Sequence, residues 1–166
     1  MAIQKEYEEL IEKFIGFLRD HFHNDLISVA LFGSVAQGKA KKDSDIDLCI
    51  IVKELPESRY QRYKIITPLL QRLRESTSYN LLYKKGYYPE ISTVLFTVNE
   101  IEHTTSIFLD MVDGAEILID DGTFVRKLNV LKERLNQLGS KKIYLDDGTY
   151  YWLLKPDIRF GEIITL

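Results

Sequence analysis

The segment that decides the fold of this chain runs from Gly33 to Leu48 and reads GSVAQGKAKKDSDIDL. A Gly-Ser turn follows one short apolar run, and two aspartates one residue apart open a second. Alternate side chains of a strand project from the same face, so Asp45 and Asp47 are predicted to point together, with Cα atoms about 7 Å apart. Such carboxylates are hard oxygen ligands for divalent cations, and paired cations are usual in phosphoryl-type displacement. Backbone N–H groups of the preceding turn can bind phosphate.

The elements on either side of this segment follow from hydrophobic periodicity. Apolar residues at helical spacing predict a helix over residues 2–22, and the apolar run 26–32 predicts a buried strand. Ser34 is a residue type that caps helices, so a short helical turn is predicted to begin after it. Residues 46–52 predict a second strand, with the aspartates and Cys49 on one face and mainly Ile and Leu on the other.

The same criteria divide the rest of the chain. They predict a helix over 58–76, a Tyr-rich loop over 78–89, a strand over 90–98, a bent helix over 100–112 capped by Asn99, a short strand over 115–119, a helix ending before Gly139, a hairpin over 142–154 and an extended tail. This order predicts an α/β fold of the α+β kind, a small mixed sheet with helices packed mainly on one face. We expect a core domain over residues 1–121 and a helix–hairpin extension over 122–166 packed on it.

The composition limits which kinds of binding partner and which cellular compartment are expected. The 166 residues are 45% apolar, enough for one cored domain with a small extension. A net charge of -3 gives no overall basic field, which argues against a nucleic-acid partner. The single cysteine excludes an intrachain disulfide and indicates a reducing compartment, so a cytoplasmic location is expected. No apolar run is long enough to span a membrane, and residues 1–10 lack the apolar centre of a signal peptide.

The spacing of the motif carries a family resemblance. Gly33-Ser34, ten intervening residues and then Asp45-Ile46-Asp47 resembles the signature of the DNA polymerase β-like nucleotidyltransferase superfamily. The fuller string resembles its small prokaryotic branch, the minimal nucleotidyltransferases. The likeness covers about residues 26–52 strongly and extends weakly to about residue 100. It implies a nucleotidyltransferase core that transfers a nucleoside monophosphate, expected to be AMP from ATP, to an acceptor hydroxyl with release of pyrophosphate.

The resemblance also assigns the site. It implies that Gly33 and Ser34 bind the nucleotide, and that Asp45 and Asp47 are catalytic and hold Mg²⁺, with two ions expected. A third acidic residue on a neighbouring strand usually completes the site of this family, and Glu90, at the start of the third predicted strand, is our candidate as catalytic residue and ligand. A register shift would place a non-ligand there, since Ser92 and Val94 share its face, and Glu102 is a poorer candidate.

The same residues could also have purely structural roles instead of the functional roles given above. The two aspartates could be turn residues at a solvated strand end, Ser34 could serve only as a cap, and Glu90 could be an exposed acid after Pro89. Gln37 departs from the Arg that the resembling branch commonly carries, and Gln cannot supply charge to a phosphate. The lysines at 39, 41 and 42 either compensate or form a solvated charge run. The tyrosines at 79, 83, 87 and 88 either line a nucleobase site or pack structurally.

Several other functions remain as alternatives. Minimal nucleotidyltransferases often pair with a small helical toxin of the HEPN type, so the chain could be an antitoxin that neutralises such a partner by binding it or by adenylylating a tyrosine on it. An antibiotic adenylyltransferase is less favoured, because no acidic pocket for a polycation is evident. A polymerase is least favoured, because the sequence shows no basic groove. The sequence leaves the oligomeric state open, a homo-oligomer included.

Overall fold

The computed structural model describes residues 5–103 and 106–166, and these residues form six helices and two β-sheets. The helices are α1 (Lys5–Phe22), α2 (Gly33–Ala36), α3 (Arg59–Arg74), α4 (Thr77–Lys84), α5 (Ser106–Met111) and α6 (Thr123–Leu138). The strands are β1 (Leu26–Phe32), β2 (Ile46–Val52), β3 (Ile91–Thr97), β4 (Glu116–Asp120), β5 (Lys141–Tyr144) and β6 (Tyr150–Leu153). Short 3₁₀ turns cover His23–Asp25 and Glu100–Glu102.

A four-stranded mixed sheet in the order β3-β2-β1-β4 organises the fold. Strand β1 runs antiparallel to both β2 and β4, whereas β2 and β3 are parallel. The end of β1 and the starts of the other three strands therefore lie together, and we call this the motif end of the sheet. Strands β1 and β2 occupy the residues predicted for them, 26–32 and 46–52.

One face of the sheet is covered by α1, α3 and α4. Because α1 repeats its apolar residues at helical spacing, it presents a continuous stripe to the strands. Each fully buried Leu, Ile or Phe contributes about 1.5–3 kcal/mol to folding, so this core accounts for much of the stability. Its members include Tyr7, Leu10, Phe14, Leu18, Val29, Leu31, Ile46, Leu48, Ile50, Ile66 and Leu82.

The opposite face is covered by α5 and α6, with Trp152 of the small β5–β6 sheet packed at the margin. Side chains of this second core include Ala30, Cys49, Ile51, Phe108, Phe124 and Leu131. The alternation predicted along β2 is confirmed. Cys49 and Ile51 lie on this face, and the alternate residues of the strand belong to the first core, namely Ile46, Leu48, Ile50 and Val52. The predicted α/β class and small mixed sheet are confirmed as well.

The prediction of a loop over the Tyr-rich segment 78–89 is wrong for the first half of that segment. Residues Thr77–Lys84 form α4. The side chain of Ser76 accepts a hydrogen bond from the backbone N–H of Tyr79 at 3.2 Å, which caps the helix, and Leu82 is buried against the first core. Capping and burial together outweigh the modest helix propensity of the tyrosines.

The bent helix predicted over 100–112 is resolved into a 3₁₀ turn and α5, while residues 104–105 lie outside the described part of the chain. Asn99 occupies the N-cap position of the 3₁₀ turn, as predicted, but its side chain makes no capping hydrogen bond. The Glu100 carboxylate instead accepts hydrogen bonds from the Thr97 N–H at 2.8 Å and from the Arg62 guanidinium at 2.6 Å.

The C-terminal region follows the prediction in its main features. Helix α6 ends at Gly139, which adopts a left-handed conformation with φ 68°, and β5 and β6 pair as an antiparallel hairpin. The tail is not uniformly extended, since turns occur at residues 156–157 and 160–161. Among the described helices, none is both long and apolar enough to cross a membrane. Of the first predicted helix, residues 2–4 lie outside the described part.

Candidate active site

Gly33 allows the turn after β1 to lie directly against Asp47. Its backbone has φ +72°, in the left-handed region that favours glycine, and a Cβ atom built there would lie 2.3 Å from Oδ2 of Asp47. Any other residue would have to displace the carboxylate. The contact therefore brings the Gly-Ser turn and the second aspartate of the motif together, as the sequence predicts for one site.

Asp47 is half-buried inside the sheet at its motif end. It pairs with Phe32 of β1 on one side and with Ser92 of β3 on the other. Burial is the largest influence on its carboxyl and raises the pKa, a hydrogen bond with Ser92 lowers it, and the negative charge of Asp45 raises it further. This carboxylate is therefore costly to keep charged in the absence of a cation.

Asp45 lies one residue before β2 and is exposed. Its negative charge acts on Asp47, so the two carboxylates lie within each other's electrostatic field. Two like charges at one place favour a bound cation, and Mg²⁺ commonly takes one or two protein carboxylates and completes its shell with water and substrate phosphates. The donor set at the motif end therefore fits Mg²⁺.

Ser34 lies in the turn but not as the predicted helix cap. Helix α2 begins one residue earlier, at Gly33, with the extended residue Phe32 in the cap position and no capping side chain. The prediction that Ser34 is the N-cap is therefore wrong, because the helix starts as soon as the chain leaves β1. Ser34 is half-buried in the first turn, and its carbonyl accepts a hydrogen bond from the Lys39 N–H at 2.9 Å.

Glu90 lies at the same end of the sheet but its carboxylate turns elsewhere. Its carbonyl accepts the Ile46 N–H at 2.8 Å, which places it beside the start of β2. Its side chain, 68% exposed, accepts a hydrogen bond from Arg74 of α3 at 2.7 Å. Helix α3 covers the face of the sheet opposite to Asp47, so the ion pair holds Glu90 away from the two aspartates.

The side chain that β3 places beside Asp47 is the Ser92 hydroxyl. Within residues 5–103 and 106–166 there is no group of three or more His, Cys, Asp or Glu side chains placed to hold a metal. The structure thus brings together Gly33, Asp45 and Asp47 and leaves Glu90 in its ion pair. No local sequence pattern indicates Arg74 as a partner of Glu90, and the Ser92 contact follows only from the register of β2 against β3.

The loop between the two halves of the motif is held by its own hydrogen bonds. Ser44 accepts the Lys41 N–H at 2.8 Å, and the Lys41 carbonyl accepts the Tyr7 hydroxyl at 2.7 Å. Lys42 lies over the Tyr87 ring, 5.4 Å from its centroid. Of the three lysines, Lys39 approaches Gln37, with Nζ 3.4 Å from Oε1. The lysines therefore differ in place, although the sequence presents them as one run.

Two other groups are structural. Cys49 is buried beneath the site, and burial raises the pKa of its thiol to about 12, so the thiol stays protonated and unreactive. The Tyr87 ring packs edge-on against Tyr7 with centroids 5.7 Å apart, and Tyr83 packs on Tyr88 at 4.9 Å. These contacts favour the packing interpretation of the tyrosines.

A mixed sheet whose central antiparallel strands bring a Gly-Ser turn against an Asp-x-Asp pair is an arrangement suited to phosphate-containing substrates. The sequence model of the nucleotidyltransferase domain family matches residues 11–111, so the chain belongs to that family. The match includes the whole motif end of the sheet except the start of β4. The chain is therefore a nucleotidyltransferase.

Two proteins of Methanocaldococcus jannaschii, each named as a candidate protein adenylyltransferase, are similar to this chain. The first, MJ1305, is 26% identical over 147 residues, which are 87% of this chain and 92% of the relative. The second, MJ0141, is 32% identical over 98 residues, which are 59% of this chain and 94% of the relative. The first alignment extends well beyond the matched family domain.

Two solved structures are similar to this chain. The Enterococcus spectinomycin adenyltransferase AAD(9), crystallised with ATP and spectinomycin, matches with TM-score 0.51 and 16% identity, covering 84% of this chain and 69% of that one. A toxin–antitoxin structure with AMP-PNP matches with TM-score 0.47 and 20% identity, covering 77% of this chain and 91% of that one. The first of these likenesses confirms the nucleotidyltransferase fold.

Proposed function

We propose that this chain transfers AMP from ATP to an acceptor hydroxyl in a Mg²⁺-dependent reaction that releases pyrophosphate. The observation that carries the proposal is the contact between the Gly33 turn and Asp47, with the Asp45 charge beside it. A phosphate-binding turn pressed against paired carboxylates is what nucleotidyl transfer requires. In the reaction, the acceptor oxygen forms a bond to the α-phosphorus, and the bond from that phosphorus to the bridging oxygen of pyrophosphate breaks.

Asp45 and Asp47 would hold Mg²⁺, with two ions expected from the resemblance. When bound, the metal supplies positive charge to the phosphate oxygens around the bond that breaks. Asp47 is held in place by its two strand neighbours, so its oxygens are positioned before substrate arrives. Gly33 lets the turn approach the phosphates closely, and the Ser34 hydroxyl is placed in the same turn to donate to a phosphate oxygen.

Glu90 is proposed as the third carboxylate, which would take up the proton of the acceptor hydroxyl. In its present conformation the carboxylate is paired with Arg74, so it would have to leave that partner to reach the site. An exposed ion pair of this kind contributes less than about 1 kcal/mol, which makes such an exchange inexpensive. Replacing Glu90 and Arg74 one at a time tests whether this exchange occurs.

The acceptor is proposed to be a hydroxyl of a protein side chain. The support is the similarity to the two archaeal proteins named as candidate protein adenylyltransferases, one of them along 87% of this chain. Tyrosine, serine and threonine side chains each carry a hydroxyl that can serve as the acceptor.

The test is transfer of label from α-³²P-ATP to proteins of the source cell, with and without Mg²⁺. We expect a labelled acceptor with the wild type, and loss of label with EDTA and with the double variant Asp45→Asn/Asp47→Asn. The variant Asp43→Asn is the matched control, because this exposed acid lies in the same loop ahead of the strand. Label that persists in the double variant would overturn the proposal.

A second candidate function is that of an antitoxin-type module which binds a HEPN-like helical partner. The sequence resemblance suggests it, and the observation that favours a protein partner is a cavity of about 490 Å³ beside β3, where Tyr63 is 62% exposed and Arg62 and Glu100 are paired. This cavity lies apart from the aspartates. The test measures whether the chain neutralises the toxicity of such a partner. Neutralisation by the double variant Asp45→Asn/Asp47→Asn would assign the effect to binding, and loss of neutralisation in this variant would assign it to AMP transfer.

A further inference from the structure

Strand β3 is an edge of the main sheet and carries none of the features that usually protect such an edge. Its sequence, ISTVLFT, has no charge, proline or glycine, and it pairs with β2 in an unbroken register over seven residues. No residue of β3 is buried, although Val94, Leu95 and Phe96 are apolar. A regular, uncharged edge of this kind presents unpaired backbone groups to any strand that can add to it.

The opposite edge of the sheet, β4, differs in each of these respects. It is five residues long, has acidic residues at both ends, Glu116 and Asp120, and its ladder with β1 is interrupted by a register shift. Short length, charge and irregular register are the features by which proteins keep an edge strand from pairing with other chains. The sheet is therefore protected along β4 and open along β3.

The hydrogen bonds between β2 and β3 show which backbone groups of β3 face outward. The Glu90 carbonyl accepts the Ile46 N–H at 2.8 Å, and the Val98 N–H donates to the Val52 carbonyl at 3.2 Å. Both ends of the parallel ladder therefore bond β2 through even-numbered residues of this segment, so the N–H and C=O groups of the odd-numbered residues point away from β2. These outward-facing residues are Ile91, Thr93, Leu95 and Thr97.

Two side chains close the half of this edge that lies farther from the motif end. Arg62 of α3 donates a hydrogen bond to the Leu95 carbonyl at 3.2 Å, and the Glu100 carboxylate accepts one from the Thr97 N–H at 2.8 Å. The two side chains also form an ion pair, with a nitrogen–oxygen distance of 2.6 Å. They occupy the positions at which a neighbouring strand would otherwise bond, so the first half of the edge is the part that is open.

The backbone groups that remain open are complementary to themselves. Within residues 5–103 and 106–166, the carbonyls of Ile91 and Thr93 and the N–H groups of Thr93 and Leu95 have no hydrogen-bond partner. Antiparallel strands pair through residues that exchange both backbone bonds, so a copy of β3 centred on Thr93 matches Thr93 with itself and Ile91 with Leu95. Each open donor then meets an open acceptor of the copy. A helix has no such row of free backbone groups, so the fitting partner is a strand.

The surface beside this edge also suits a second copy. The cavity of about 490 Å³ between α3 and β3 is lined by two glutamates and two arginines, whose charges balance, so an identical surface is not repelled. Tyr63, at the cavity, is 62% exposed, and Tyr60, one turn earlier in α3, is 67% exposed. Tyrosine is enriched at protein–protein interfaces, where its ring is buried against the partner.

We propose that the chain forms a symmetric dimer in which β3 pairs antiparallel with β3 of a second copy, centred on Thr93. The two four-stranded sheets then become one continuous sheet of eight strands. The inference is independent of the proposed transfer, because it rests on the backbone of β3 and not on the chemistry of the aspartates. A helical partner at the same surface would leave the chain monomeric by itself, which distinguishes the two.

The experiment measures the mass of the purified full chain in solution by sedimentation velocity and light scattering. We expect twice the 19.4 kDa of a single chain. Thr93→Lys and Thr93→Glu each place two like charges side by side across the twofold axis, so each should raise the dissociation constant of the dimer more than about tenfold. Val130→Lys, which adds a charge at an exposed site on α6, is the matched control and should remain dimeric. Circular dichroism verifies that each variant is folded.

Mixing the two charged variants provides a second readout. Lysine and glutamate attract each other across the centre of the pair, so equimolar Thr93→Lys and Thr93→Glu should form a heterodimer with a dissociation constant within about tenfold of the wild type. In Thr93→Cys, oxidation should link two copies, because Cα atoms of a hydrogen-bonded antiparallel pair lie about 5.5 Å apart. The wild type should stay unlinked, since Cys49 is buried.

Three results would overturn the inference. A monomeric wild type would do so directly, including the case in which a helical partner binds this surface. A dimer that both charged variants retain would be formed through another surface. Charged variants that dissociate but do not recombine on mixing would exclude pairing centred on Thr93. The proposed transfer is unaffected by any of these results, since it is measured separately by label from ATP.

Discussion

Asp47 and Glu90 lie at the same end of the same sheet, yet their surroundings differ completely. Asp47 is inside β2 with a strand on each side, so the backbone ladder fixes the direction of its side chain toward Gly33. Glu90 precedes β3, and its exposed carboxylate is directed by Arg74 of a helix. The comparison shows that a position within a paired strand is set by the sheet, whereas a position just outside it is set by the nearest charge.

The largest effect that tests this contrast is expected for Asp47→Asn. Removing a preorganised charge from the reacting phosphate should lower the transfer rate by more than about 100-fold. The measurement is initial rate with saturating ATP, once an acceptor is identified. Asp43→Asn should retain the wild-type rate, and a comparable loss in that control would mean that the effect is not specific to the site.

The tight contact between Gly33 and Asp47 predicts a large loss of stability for Gly33→Ala. The added Cβ would meet Oδ2 of Asp47 and would also force a positive φ on alanine, which together should cost about 2–4 kcal/mol of unfolding free energy. Gly38→Ala is the matched control, because Gly38 has φ +67° but no atom within 4 Å of the added Cβ. Urea denaturation that gives equal losses for both would show that the Asp47 contact is unimportant.

A smaller effect on the transfer rate is expected when Glu90 and its ion-pair partner Arg74 are replaced one at a time. Glu90→Gln should lower the transfer rate about tenfold if this carboxylate serves the reaction, as a positioned proton acceptor contributes at least that much. Arg74→Gln should not lower it, because it frees the carboxylate. Both variants should change unfolding free energy by less than about 1 kcal/mol. If both variants change the rate equally and only slightly, Glu90 has no role in the reaction beyond its ion pair with Arg74.

The smallest expected effect is on stability without metal. Burial raises the pKa of Asp47 above that of the unfolded chain, so the folded protein binds more protons between the two values and its stability falls as pH rises through them. Asp47→Asn should therefore raise Tm at pH 7 in EDTA, and the gain should disappear below the ordinary pKa of aspartate. Thermal scans from pH 3 to 8 check this, with Asp43→Asn as control; an unchanged or lowered Tm at pH 7 would contradict it.

The strands and the motif were predictable because their information is local. Strands β1 and β2 have the predicted bounds, since a short apolar run bounded by a turn can be recognised within seven residues. Gly139 and the hairpin follow from turn chemistry in the same way. Helix α4 was missed because its stability depends on the burial of Leu82 against distant residues, which a Tyr-rich segment does not reveal.

The sequence by itself determined that a Gly-Ser turn and two aspartates meet at one end of a sheet, because strand alternation and a fixed spacing along the chain place them there. Only the tertiary structure decided which residues surround them: Ser92 beside Asp47, and Arg74 on Glu90. The physical reason is that these contacts join segments that lie well apart in the sequence, and strand register and helix packing, which bring them together, depend on the whole folded core.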